Sequence, residues 1–111
     1  MPNLKTTLIT ATFIATATSA QAGSKYLTGP EIGDLYTSHS FEYWGKTKGT
    51  SHYTPTTFTV EDETNGNFSG KWWIKDNKYC RKFNNGYKHC DKVKKEGNGI
   101  YSSRGYKFKL K

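Results

Sequence analysis

The sequence predicts a mainly β fold: a small antiparallel β-barrel, or a highly twisted meander, of about seven strands with one short N-terminal helix and a single disulfide. Three observations carry this. From residue 40 onward, turn signals recur about every ten residues, with period-two alternation between them. The chain holds six Phe, eight Tyr and three Trp, enough large rings to fill a small barrel. Its only two cysteines, Cys80 and Cys90, stand on the two arms of one predicted hairpin.

The amino terminus reads as a secretory signal peptide. Lys5 supplies the positive start, Leu8 to Ala17 is a mostly apolar run, and Ala20-Gln21-Ala22 is a small-residue cleavage site. The apolar run is about half of the ~20 residues that span a bilayer. The expected organisation is therefore a signal peptide over residues 1–22 and a single β-rich domain over residues 23–111, exported to the periplasm or secreted, with no transmembrane segment after cleavage.

The helix is signalled at "LTGPEIGDLYTS". Thr28 and Glu31 have the spacing of a capping box, Pro30 sits in the first turn, and Leu27 and Ile32 occupy the two staple positions. Ile32, Leu35 and Tyr36 share one apolar face, and Gly33 limits the helix to about two turns. The strands follow in order. "SFEYW" places Phe41 and Tyr43 on one face, and "TFTVE" does the same for Phe58 and Val60. "SGKWWIK" follows the Asn65-Gly66 turn, and "KYCRKF" follows Asp76-Asn77. "YKHCDKV" follows Asn84-Asn85-Gly86, and "GIYSS" follows "KEGNG". In "YKFKLK", Tyr106, Phe108 and Leu110 alternate inward against Lys107, Lys109 and Lys111 outward.

The hairpin "CRKFNNGYKHC" fixes its own register. A three-residue Asn84-Asn85-Gly86 loop, with Gly86 in the left-handed position, sets Phe83 against Tyr87, Lys82 against Lys88, Arg81 against His89, and Cys80 against Cys90. A two-residue turn would oppose Cys80 to Asp91. Export to an oxidising compartment favours the disulfide, which selects the longer loop. Arg81 and His89 then lie on the face opposite Lys82 and Lys88.

Charge is unevenly spread along the chain. Residues 23–70 carry three lysines against six acids, whereas residues 71–111 carry thirteen Lys and Arg against Asp76, Asp91 and Glu96. Such a split points to a basic face and an anionic partner. The expected binding residues are Arg81, Lys82, Lys88, Lys92, Lys94, Lys95, Arg104, Lys107 and Lys109.

Several segments together resemble a family of small exported bacterial proteins of unknown function. They are the signal peptide, "LTGPEI" opening a helix, "HYTPTTFTVED", "GNFSGKWWI", and Tyr79-Cys80 with a second cysteine at Cys90. The most specific piece is Gly70-Lys71-Trp72 leading to the cysteine pair. The resemblance implies a β-rich periplasmic domain and brings no catalytic residues. The lysine load after residue 71 departs from it.

Catalytic motifs are missing from the sequence. His39, His52 and His89 are scattered, with no H-E-x-x-H and no G-x-S-x-G, and no cofactor motif occurs. Zinc would need two ligands beyond the cysteines, and no metal is expected. "EDETNGN" matches four places of a calcium loop but has Trp72 at the twelfth, so it reads as a hairpin turn. Nucleic acid is disfavoured by export. The leading expectation is a non-enzymatic binding module whose basic face contacts an anionic polymer of the envelope or an acidic protein surface. The alternatives are a protein inhibitor of an envelope-directed hydrolase such as lysozyme, presenting the 84–86 or 102–105 loop, and a small-ligand carrier lined by Trp44, Trp72, Trp73 and Tyr79.

Overall fold

In a computed structural model of the chain, residues 25–111 are described; the expected signal peptide lies outside them. The elements are β1 (Lys25–Tyr26), α1 (Gly29–Tyr36), β2 (Ser40–Trp44), β3 (Gly49–Tyr53), β4 (Thr57–Asp62), β5 (Gly66–Lys75), β6 (Lys78–Phe83), β7 (Lys88–Asp91), β8 (Lys94–Gly97), β9 (Ile100–Ser103) and β10 (Tyr106–Leu110). All ten strands join one antiparallel sheet in the order β1-β8-β9-β10-β2-β3-β4-β5-β6-β7. The sheet curls into a half-barrel.

Two expectations about the sheet need correction. The strand count among the described residues is ten, not about seven. The missed strands are β1, β3 and β8, which read Lys-Tyr, Gly-Thr-Ser-His-Tyr and Lys-Lys-Glu-Gly and carry little or no apolar alternation. They are extended because a neighbour offers a ladder, a tertiary effect that residue preference does not report. Nor is the sheet one meander. β2 to β7 form one, β8 to β10 form a second, and β10 returns to pair with β2 through Phe108 opposite Tyr43.

The cysteine hairpin has the expected register. Cys80 pairs with Cys90, Arg81 with His89 and Lys82 with Lys88, and the disulfide is formed. Phe83 N–H donates to Tyr87 C=O at 2.8 Å, and Gly86 has a φ of 96°. β7 stops at Asp91 because Val93, fully buried, turns the chain inward, and its carbonyl accepts from Leu27 N–H at 2.8 Å.

The helix forms as its sequence dictates. Thr28 N–H donates to Glu31 Oε1 at 2.8 Å and Glu31 N–H donates to Thr28 Oγ1 at 3.4 Å, completing the capping box. Asn77 Oδ1, from the tight β5–β6 turn, accepts from Gly29 N–H at 2.6 Å and ties the helix start to that end of the sheet. Leu27, Ile32 and Tyr36 are buried. Tyr36 enters the curl, stacked on Tyr79 at 4.6 Å and edge-on to Tyr53 at 4.8 Å and Phe41 at 5.3 Å. The helix therefore plugs one end. Leu110, expected inward, is 50% exposed because it lies at the final strand end.

Strand alternation then sorts every side chain. Phe41, Tyr53, Phe58, Val60, Trp72, Tyr79 and Phe108 form the inner core. Gly70 leaves room on that face for Phe58 and Phe83 to meet edge-on at 5.3 Å. A Cβ at Gly70 would stand 2.0 Å from the Lys82 carbonyl oxygen. Next to it, Trp72 is buried and donates its indole N–H to Thr54 C=O at 2.7 Å. This accounts physically for the Gly-x-Trp pattern: glycine permits the close approach of β6, and tryptophan fills the space beyond it.

Gly70→Ala is expected to destabilise the domain by about 2–3 kcal/mol, because backbone rather than a flexible side chain must yield. Denaturant unfolding of the two proteins measures it. Replacing both cysteines by serine is expected to cost roughly 2–3 kcal/mol by the same measurement.

Candidate functional site

The inner face is not filled completely. A cavity of about 360 Å³ lies between the Tyr36 plug and the opposite rim, where the β2–β3, β4–β5, β6–β7 and β9–β10 turns contribute Thr47, Asn65, Asn85 and Arg104. Its walls are mostly aromatic, and its polar groups form two clusters.

The first cluster surrounds Arg81. Alternation along β6 turns this side chain inward with Tyr79 and Phe83. Its guanidinium carbon lies 4.6 Å from the Phe83 ring centre, 5.1 Å from Phe58 and 5.8 Å from Tyr79. Arg81 Nε–H donates to His89 Nε2 at 3.1 Å. With Nε2 accepting, the proton of a neutral His89 is on Nδ1, which donates to Asp91 Oδ2. Asp91 is also 3.3 Å from Arg104 Nη1, and Arg104 Nη2 donates to the Tyr87 hydroxyl. The result is one continuous chain: Arg81, His89, Asp91, Arg104, Tyr87.

That chain also spans the open side of the half-barrel. β7 and β9 share no ladder, yet Arg104 in the β9–β10 turn reaches both Asp91 and Tyr87 on the far side. Ser103 Oγ–H adds a bond to Lys92 C=O at 2.8 Å. Arg104 has a φ of 53°, a left-handed position more often taken by Asn or Gly in such turns. Arg104 of the 102–105 loop and Tyr87, the residue after the 84–86 loop, therefore meet at this rim.

Tyr53 and Tyr79 share a hydroxyl–hydroxyl bond of 2.8 Å beside Arg81. Burial pushes the Tyr36 and Tyr79 hydroxyls well above the ordinary tyrosine range and raises Tyr53 as well, so all three stay neutral. Burial works against the Arg81 charge, the Tyr79 hydroxyl favours it by hydrogen bonding, and the net direction is upward. Arg81 remains a cation, and among the described residues no carboxylate forms an ion pair with it.

The second cluster is at the rim. Tyr43 Oη–H donates to Asp62 Oδ2 at 2.5 Å and Thr47 Oγ1–H donates to the same oxygen at 2.7 Å; Thr64 and Asn65 N–H donate to Oδ1. Partial burial opposes the Asp62 charge, yet these donors prevail and hold its pKa at about 2. The acidic turn is thus internally satisfied. No group of three or more metal-ligating side chains occurs among the described residues.

The expected basic residues divide between two surfaces. Lys82 and Lys88 face outward, in a cross-strand row with Lys71. Lys94 and Lys107 make a second outward row through Ser102 on β9. Glu96 sits with them, its pKa lowered first by the Ser102 hydroxyl and then by these two lysines. Lys92 lies in the link between the rows, 5.1 Å from the Tyr26 ring centre. Lys109 pairs across with Glu42, and Lys95 with Lys25 at the β1 edge. Arg81 and Arg104 stand apart from these rows, inside the cavity and across its open side. Of the aromatic residues expected to line a cavity, Tyr79 does so. Trp44 and Trp73 fall on the outer face by alternation, and Trp73 lies directly across from Cys80.

Tyr36, Tyr53, His89, Asp62 and Asp91 were not foreseen as cavity residues. The hairpin register placed His89 beside Arg81, but nothing local announced a space in front of them. No family model matches the chain, and neither a curated protein nor a solved structure matches it.

His89 gives a pH signature. Burial lowers its pKa below the ordinary 6.5, Asp91 raises it by hydrogen bonding, and the Arg81 charge lowers it again; Arg104 also disfavours the cation. The unfolded chain therefore takes up this proton first. The His89 contribution to stability is complete above about 6.5 and is lost as pH falls from there through the folded value. Thermal midpoints measured from pH ~7 to ~5 are expected to decline, and His89→Gln is expected to flatten that decline.

Proposed function

We propose that the chain is an exported, non-enzymatic binding module whose basic flanks contact an anionic polymer of the cell envelope or an acidic protein surface. The observation that supports this is how charge is sorted around the sheet. The middle strands β2 to β4 carry Glu42, Glu61 and Asp62, with Glu63 in the turn beyond. The outer rows Lys71-Lys82-Lys88 and Lys94-Lys107 fall on the two flanks that approach one another at the open side.

Lysines placed only for solubility would be spread among the acids. Lys71, Lys82 and Lys88 instead stand directly opposite one another in adjacent strands, an arrangement that lowers stability slightly and raises the local positive potential. Exposed rows of ammonium groups suit a flexible polyanion, whose phosphates or carboxylates need no fixed geometry.

Retention on a heparin column is expected at ~100 mM salt, and Lys82→Glu/Lys88→Glu is expected to elute much earlier. Flow-through of the unaltered protein, or an unchanged elution position after charge reversal, would sink the proposal.

A further inference from the structure

The cavity raises a separate question from the outer lysines, because a cation with no ion-pair partner among the described residues, Arg81, faces inward. Arg81 is surrounded by rings and neutral hydroxyls. Its Nε–H is committed to His89, and the nearest carboxylate in the chain of contacts, Asp91, is turned to His89 and Arg104. A guanidinium has five N–H donors in a planar fork; the neutral Tyr53 and Tyr79 hydroxyls take up part of the terminal edge, and the donors left over match a carboxylate. Burial disfavours a cation that has no ion-pair partner, and a well-placed anion offsets part of that cost.

The surroundings narrow the chemistry of that anion. Phe41, Val60, Phe68, Phe83 and Phe108 give the space an apolar lining, which favours a ligand with an apolar body. The volume of about 360 Å³ admits about a dozen non-hydrogen atoms at the ~30 Å³ occupied by a water molecule. Asp62 and Asp91, both lining the cavity, repel a polyanion. His89 holds the Arg81 fork by its Nε–H and is itself held through Asp91 and Arg104, so the receiving edge is oriented before any ligand arrives.

We propose that the cavity binds a small monocarboxylate with a compact apolar body, and that Arg81 receives the carboxylate. His89 is a positioning residue, since its ring is one bond removed from the ligand.

Phenylacetate and octanoate are suitable probes, one with an aromatic and one with an aliphatic body, each compared with its neutral amide. Titration of the unaltered protein is expected to raise the thermal midpoint and to move the Arg81 Nε–H resonance with either or both acids. The amides are expected to leave both observables unchanged. Arg81→Met should weaken binding by at least about tenfold, whereas Lys82→Glu/Lys88→Glu should bind the acid as the unaltered protein does. Loss of heparin retention with intact carboxylate binding, or the reverse, separates this site from the outer flanks. Equal binding of acid and amide would overturn the proposal, as would absence of saturable binding by both acids, or an Arg81 resonance that does not respond. The acid–amide comparison on the unaltered protein stands even if Arg81→Met fails to fold.

Discussion

A sheet that curls without closing needs something to curl around, and here that is Tyr36. Its ring meets Phe41 of β2, Tyr53 of β3, Trp72 of β5, Tyr79 of β6 and Phe108 of β10. One side chain therefore joins strands that share no ladder. Its position depends in turn on α1, whose start is fixed by Thr28, Glu31 and the Asn77 side chain. Were the plug absent, the inner rings would face a trough open at both ends, and the curvature would lack an apolar contact to sustain it.

The opposite side of the molecule solves a different problem. Two strand edges, β7 and the β1/β8 margin, come near each other without backbone pairing. Side chains bridge them in place of a ladder, with Arg104 accepting a left-handed backbone to do so. Such a conformation costs about 1 kcal/mol for a residue with a Cβ, and a charge-assisted contact to Asp91 offsets a cost of that size. The same contact orients Asp91 toward His89, so closure of the half-barrel and the placement of Arg81 are one arrangement.

Much of the fold was legible in the sequence, for reasons that can be named. The helix was clear because capping is local: Thr28, Pro30 and Glu31 act within one turn. The cysteine hairpin was clear because a disulfide and a left-handed glycine leave one register open. β3 and β8 were not legible, since Ser51 and His52, or Lys94 and Lys95, acquire strand structure only from neighbours distant in sequence. The return of β10 to β2 was hidden for the same reason. For the candidate site, alternation set Arg81 on the face opposite Lys82 and Lys88, although Arg81 was expected to share their basic binding face, and the cavity before it depends on how several strands fail to fill a common space. No short segment encodes that.

The link Lys92-Val93 joins the two margins of the sheet directly, with Val93 buried beneath it. Everywhere else, widening the barrel would break rungs of paired backbone. Along this one line it would break only a few side-chain bonds, those of Arg104 and Ser103, while the covalent link limits how far the margins separate. The molecule is therefore stiff around most of its circumference and compliant in a single direction. A guest somewhat larger than the resting cavity would be accommodated there, by a clasp that loosens rather than by a core that repacks.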